Sequence, residues 1–209
     1  MIEELSFTRG ETAIRATLYG RVAPVVLLCP PHPLYGGNRE DNRLVKIAQA
    51  LVDSGSGALC LDYSSYTGGL METEDVVFIL QWLNEKGSAP GLAGYSYGAL
   101  IAANAAKRFH PIRGLVLIAP LKRSGDLSID LKISGEKLII YGRRDYLVGP
   151  DVEGLCLTAL GPVRKLSLDT DHFFTGYEAI LATTVAGFFK EIFMEPVIPD
   201  SLERPGNNA

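Results

Sequence analysis

Apolar and polar positions alternate along residues 2–8 and again along 12–19, with Arg9-Gly10-Glu11 breaking the pattern between them. A period of two around a glycine-centred break predicts an antiparallel pair of strands at a sheet edge. From Pro24 the pattern changes. Val25-Val26-Leu27-Leu28-Cys29 is apolar throughout, as a strand covered on both faces must be, and Pro30-Pro31-His32-Pro33-Leu34-Tyr35-Gly36-Gly37 predicts a loop after it. Residues 40–54 then place Leu44, Ile47, Ala48 and Leu51 at helical spacing, up to a stop at Asp53-Ser54-Gly55.

The alternation of apolar strand and amphipathic helix continues to residue 193. Residues 57–63 predict a second buried strand and 72–87 a helix, with Glu72, Glu74 and Asp75 in its first turn to complement the dipole and Val76, Ile79, Leu80 and Leu83 on one face. Residues 90–95 predict a strand running into a helix of small residues that ends near Phe109. Strands at 114–119, 137–141 and 163–168 and helices near 150–160 and 176–193 complete the pattern. Strands separated by helices predict the α/β class, with a mostly parallel central sheet flanked by helices on both faces. In such a sheet a site lies beyond the carboxyl ends of the strands. Residues 1–195 read as one domain, and 196–209, which lack periodicity, as a flexible tail.

Composition narrows the partners. A chain of 209 residues, 47% hydrophobic and 21% charged, is long enough for one substantial core. The net charge of −4 is spread without a run of like charge, which argues against nucleic acid and against an anionic membrane surface. The N-terminus has neither the basic start nor the apolar centre of a signal peptide, and no apolar run is long enough to span a bilayer, so a cytoplasmic protein is expected. Cys29, Cys60 and Cys156 are odd in number and widely spaced, and read as free thiols without a metal or redox role.

Candidate chemistry centres on Gly94-Tyr95-Ser96-Tyr97-Gly98, where a strand turns into a helix with a serine at the apex, the arrangement of a nucleophile elbow. The pattern is weak by itself in a chain of 22 glycines, so its partners decide. Of the three histidines, His110 ends a helix and His32 lies in the loop after the first buried strand. His172 follows the last strand and is the candidate general base. Asp145, beyond the strand at 137–141, is the candidate acid to accept the His172 Nδ1 proton, with Asp169 and Asp171 as competitors and a helix-capping role for Asp171. Tyr97 N–H and Leu34 N–H are the candidate oxyanion-hole donors, with Tyr35 as alternative, because Pro33 has no N–H. His32, Tyr35, Tyr95 and Tyr146 are the candidate substrate-pocket residues, with Tyr66 and Tyr97 nearby.

Taken together, His32-Pro33-Leu34-Tyr35-Gly36-Gly37, Gly94-Tyr95-Ser96-Tyr97-Gly98, Gly142 to Asp145 with Val148, and Asp171-His172-Phe173-Phe174 resemble the α/β-hydrolase superfamily. The resemblance is strongest to its small lidless, dienelactone-hydrolase-like members and covers about residues 20–193. It implies a Ser96, Asp145, His172 triad and an oxyanion loop at His32 to Tyr35. One departure is Asp62-Tyr63-Ser64-Ser65-Tyr66, where such relatives carry Asn-x-Arg-Gly, so a different pocket wall is expected there. The short stretch between the strands ending at Ala119 and starting at Lys137 leaves little room for a helical cap. The expected activity is hydrolysis of a small-molecule ester or thioester through an acyl-enzyme, with no metal or organic cofactor. The alternatives are a peptidase or amidase of the same fold, or a non-catalytic ligand-binding member.

Overall fold

The structure, a computed structural model, describes residues 1–110, 112–147, 152–157 and 159–194. Val148 and the tail at 196–209 therefore lie outside the described residues. The chain opens with β1 (Ile2–Arg9) and β2 (Thr12–Tyr19), paired antiparallel in register Ile2 to Tyr19 through Arg9 to Thr12. There follow β3 (Val25–Cys29), α1 (Asn42–Asp53), β4 (Gly57–Leu61), α2 (Leu70–Glu85), β5 (Gly91–Tyr95), α3 (Tyr97–Arg108) and β6 (Gly114–Ile118). A small hairpin of β7 (Arg123–Ser124) and β8 (Leu127–Ser128) leads to β9 (Glu136–Gly142), α4 (Val152–Leu157), β10 (Val163–Leu168) and α5 (Glu178–Met194).

Eight strands form one sheet in the order β1-β2-β4-β3-β5-β6-β9-β10. β2 meets β4 antiparallel, and the six strands from β4 to β10 run parallel. β3, β4, β5 and β6 are buried at every position, which is why they read as continuous apolar runs. Alternate side chains divide between two cores. Leu27, Leu92 and Leu117 pack with Val76, Ile79 and Leu100 from α2 and α3 on one face. Leu28, Tyr95 and Ile118 pack with Leu44, Leu51, Leu181 and Val185 from α1 and α5 on the other.

The sheet is built outward in two directions from β3, since the chain passes first to β4 on one side and then to β5 on the other. That reversal opens a crevice at the carboxyl ends of β3 and β5, where neither crossover helix covers the strand ends. Between β6 and β9 the stretch holds only the β7–β8 hairpin, so no cap domain covers this end. The opposite end is closed differently. Lys137 is fully buried at the start of β9, and its ammonium donates to the carbonyls of Ile133 and Gly135, each at 2.6 Å, and Leu160 at 2.7 Å.

Glu72 lies in the first turn of α2 as expected and accepts from Gly69 N–H at the helix start, whereas Asp75 lies beyond that turn, and both are fully buried. Asp75 accepts from Arg9 and from Ser64 N–H, while Glu72 collects donors from the loop before α2 and from α3. A carboxylate buried at a helix start needs several donors, and folded-back loops provide them.

Candidate active site

Ser96 stands between the end of β5 and the start of α3 with φ 57° and ψ −114°, a conformation disfavoured for a residue with a Cβ. The glycines on either side explain how the turn closes. A Cβ on Gly94 would lie 2.1 Å from Gly98 O, and one on Gly98 would lie 2.3 Å from Cys29 O. Only hydrogen fits at either position, so α3 packs against β3 and β5 with Ser96 held at the apex. Ser96 N–H donates to Ile118 O at 2.8 Å, which ties the turn to β6.

The turns after β9 and β10 bring the other two side chains to this apex. Arg143 N–H and Arg144 N–H donate to Leu168 O and Thr170 O, at 2.8 and 3.0 Å, binding the two turns together. His172 Nε2 lies 2.9 Å from Ser96 Oγ, and His172 Nδ1 lies 2.7 Å from Asp145 Oδ2. All three residues are buried, at 7 to 8% exposure. A neutral imidazole that donates from Nδ1 to Asp145 presents the lone pair of Nε2 to the serine hydroxyl. The competitors are engaged elsewhere. Asp169 pairs with Arg144, and Asp171 Oδ1 accepts from Phe173 N–H at 2.9 Å. α5 starts only at Glu178, so Asp171 closes the turn at His172 and does not cap that helix.

The loop after β3 folds as a short 3-10 turn over Pro33–Tyr35. Leu34 N–H, a candidate oxyanion donor, is turned to His32 Nδ1 at 3.3 Å, and Tyr35 N–H to His32 O at 3.0 Å. Tyr97, the first residue of α3, has an N–H with no acceptor inside its own helix. Its ring is fully buried beside His32, with centroids 4.5 Å apart, and its hydroxyl donates to Glu72 at 2.8 Å. Burial works to raise the Glu72 carboxyl, but donors from its own backbone, Thr67 and Tyr97 outweigh it and hold the pKa below the usual value.

A cavity of about 690 Å³ opens in front of Ser96 and His172. His32, Tyr35 and Tyr95 line it, as do Leu121, Leu147 and Phe173. Tyr146 does not. It is 93% exposed and borders a separate cavity with Arg144, Thr170 and Tyr177. The reason is a tight turn at Asp145, whose Oδ1 accepts from Leu147 N–H at 2.9 Å and brings Leu147 to the site in place of Tyr146. The segment at 62–66 also stays out of the cavity wall. Tyr66 packs on His32 from behind, with centroids 4.8 Å apart, and Asp62 pairs with Arg39.

Asp41 and Arg43 complete the wall, and the sequence reading had not singled them out. They lie at the start of α1 and bind each other, Arg43 Nε to Asp41 Oδ1 at 2.9 Å and a terminal nitrogen to Oδ2. Burial works to lower the Arg43 pKa, but Asp41 and Tyr95 outweigh it, so the guanidinium stays charged. Nothing in their spacing marks them, since Arg43 meets Tyr95 and Phe173 across 52 and 130 residues of chain. Among the described residues, no three His, Cys, Asp or Glu side chains gather as a metal site would require. No described helix is long and apolar enough to cross a membrane.

No protein-family model matches the chain. An uncharacterized protein of Rickettsia prowazekii is 31% identical over 172 residues, covering 76% of this chain and 69% of the relative. Among solved structures, an α/β serine hydrolase without lid from Xanthomonas campestris superposes with a TM-score of 0.80 at 22% identity, over 95% of this chain and 97% of its own. An α/β serine hydrolase homologue from Coxiella burnetii gives 0.78 at 22% identity, over 89% and 96%. An esterase from Pyrococcus furiosus gives 0.75 at 18% identity, over 91% and 92%. The chain has the α/β-hydrolase fold, and by its sequence it belongs to one family with the Rickettsia protein.

Proposed function

We propose that this protein is a serine hydrolase that cleaves a small, uncharged ester or thioester through an acyl-enzyme. The reading rests above all on one observation, the unbroken chain from Ser96 Oγ through His172 to Asp145 at 2.9 and 2.7 Å, on a strained apex facing an open cavity. Esterases and serine hydrolases among the similar structures support the same chemistry.

In this mechanism Ser96 Oγ attacks the carbonyl carbon while His172 Nε2 takes its proton, and Asp145 stabilises the imidazolium through Nδ1. Tyr97 N–H meets the developing oxyanion, and Leu34 N–H joins it by exchanging His32 Nδ1 for the charged oxygen. An anion is the stronger acceptor, so the exchange is favourable only as charge develops. His172 then returns the proton to the leaving alcohol or thiol. Water, deprotonated by the same nitrogen, attacks the acyl carbon, and as the acyl–Oγ bond breaks His172 Nε2 passes that proton to Ser96 Oγ, releasing the acid and restoring both residues. The uncharged substrate follows from the wall: Asp41 and Arg43 neutralise each other, and the other side chains there are largely aromatic or aliphatic. A carboxylate on the substrate would meet Asp41 without a spare cation.

The test is intact mass after incubation with a fluorophosphonate, followed by peptide mapping, with Ser96→Ala as control. We expect one adduct, on Ser96. Folded protein that takes up none would overturn the reading in favour of a ligand-binding protein. Where the adduct forms, p-nitrophenyl butyrate should exceed p-nitrophenyl hemisuccinate in kcat/KM by at least about tenfold, the factor that 1.36 kcal/mol makes. Equal values would remove the uncharged-substrate part alone.

A further inference from the structure

We propose that Tyr95 and Arg43 are positioning residues that hold the backbone of the His172 turn, so that its imidazole meets Ser96 and Asp145 together. Calling His172 the base rests on the hydrolase reading above; the placement of its ring does not.

His172 sits in the irregular stretch between β10 and α5, which has no ladder of its own to fix it. Two carbonyls of this turn are gripped from across the sheet end. The Tyr95 hydroxyl donates to His172 O, and Arg43 donates to Phe173 O at 3.3 Å. The same Arg43 nitrogen donates to the Tyr95 hydroxyl at 2.9 Å, so that hydroxyl both accepts and donates. Burial raises the Tyr95 phenol, which keeps its proton available for the carbonyl. Arg43 is anchored in turn by the fork to Asp41, whose Oδ1 also accepts from Arg43 N–H at 3.0 Å at the start of α1. The guanidinium lies 4.1 Å from the Tyr95 ring centroid.

The result is a strut that runs from the first turn of α1, through a buried phenol on β5, to the peptide bonds on the C-terminal side of His172. Tyr95 is the residue before the nucleophile, so the strut ties the base to the elbow that carries Ser96. A guanidinium with its nitrogens engaged in this way has a structural use at the pocket wall and is not a ready anchor for a substrate anion. Displacement of the ring by a fraction of an ångström would lengthen both of its hydrogen bonds.

Tyr95→Phe keeps the ring and deletes the hydroxyl. We expect kcat to fall between about 10- and 100-fold with KM within about twofold. The low-field proton NMR resonance of the His172–Asp145 hydrogen bond should broaden or vanish. Arg43→Met should act in the same direction, Arg43→Lys should not rescue it because an ammonium lacks the fork, and the double variant Tyr95→Phe/Arg43→Met should be no worse than the poorer single variant. If Tyr95→Phe does not fold, Arg43→Met at the half-buried end of the strut carries the test. A wild-type resonance and wild-type fluorophosphonate labelling rate in both single variants would overturn the strut and leave the hydrolase reading intact. Loss of the resonance in the variants, with no labelling of wild-type protein, would uphold the strut and remove the hydrolase reading.

Discussion

At the scale of single residues, three side chains that are far apart in sequence depend on one another through two hydrogen bonds. Ser96→Ala and His172→Ala should each lower kcat by about 10⁴-fold or more, with the double variant scarcely worse, because either deletion disables the unit. Steady-state kinetics on a p-nitrophenyl ester checks this, and multiplicative losses would mean the two act separately. Asp145→Asn should fold yet lose up to about 10⁴-fold in kcat, since an amide favours the wrong imidazole tautomer. A comparable loss in Asp171→Asn instead would reassign the acid. His32 offers a different readout. Burial lowers its pKa, with Glu72 pulling the other way, and its neutral Nδ1 caps the loop at Leu34. With the folded pKa below the unfolded value, the unfolded chain binds the extra proton first. The stability that His32 contributes is therefore complete above its unfolded pKa and is lost as pH falls through about 6.5 toward the folded value. Melting curves should show the advantage of wild type over His32→Phe shrinking between about pH 7.5 and 5.5. A constant difference would mean that the ring does not cap as a neutral base.

At the scale of elements, the elbow is a packing problem solved by two glycines. A methyl group at Gly98 would meet the backbone carbonyls of Cys29 and Pro30 at 2.3 and 2.4 Å, and backbone cannot move aside as a side-chain tip can. Gly98→Ala should therefore cost at least about 1–3 kcal/mol, and kcat should fall as α3 shifts away from β3. Thermal unfolding with labelling of Ser96 measures both, and a neutral substitution would show that α3 is not in close contact there. The buried elements were legible at this scale. The apolar runs of β3, β4, β5 and β6 and the glycines beside Ser96 are local signals. The β7–β8 hairpin was not, because two-residue strands have no period to detect, and neither was the 3-10 turn at Pro33–Tyr35, which a proline-rich loop conceals.

At the scale of the whole molecule, the two ends of the sheet carry different duties. The carboxyl ends hold the strained apex and the cavity, while the amino end is stitched by Lys137, whose pKa burial lowers. Lys137→Met should lower stability by about 1–3 kcal/mol, as three carbonyls lose the buried ammonium that gathers them, that of Ile133 being itself buried, or roughly 2–4 °C in Tm per kcal/mol for a chain of this size. It should leave kcat unchanged, and a parallel loss of activity would show that the ends are coupled. By itself the sequence determined the α/β order of elements, the parallel core strands, the elbow and the positions of Ser96, Asp145 and His172 at strand ends. Those features are written in local periodicity, in steric demands between near neighbours, and in the rule that parallel strands present their loops at one end. Only the tertiary structure decided that Glu72 turns inward to Tyr97, that Leu147 and not Tyr146 faces the site, and that Asp41 and Arg43 reach it at all. Each of those outcomes depends on which way a side chain points once distant elements have packed, and a polar contact made across 52 or more residues has no signature along the chain.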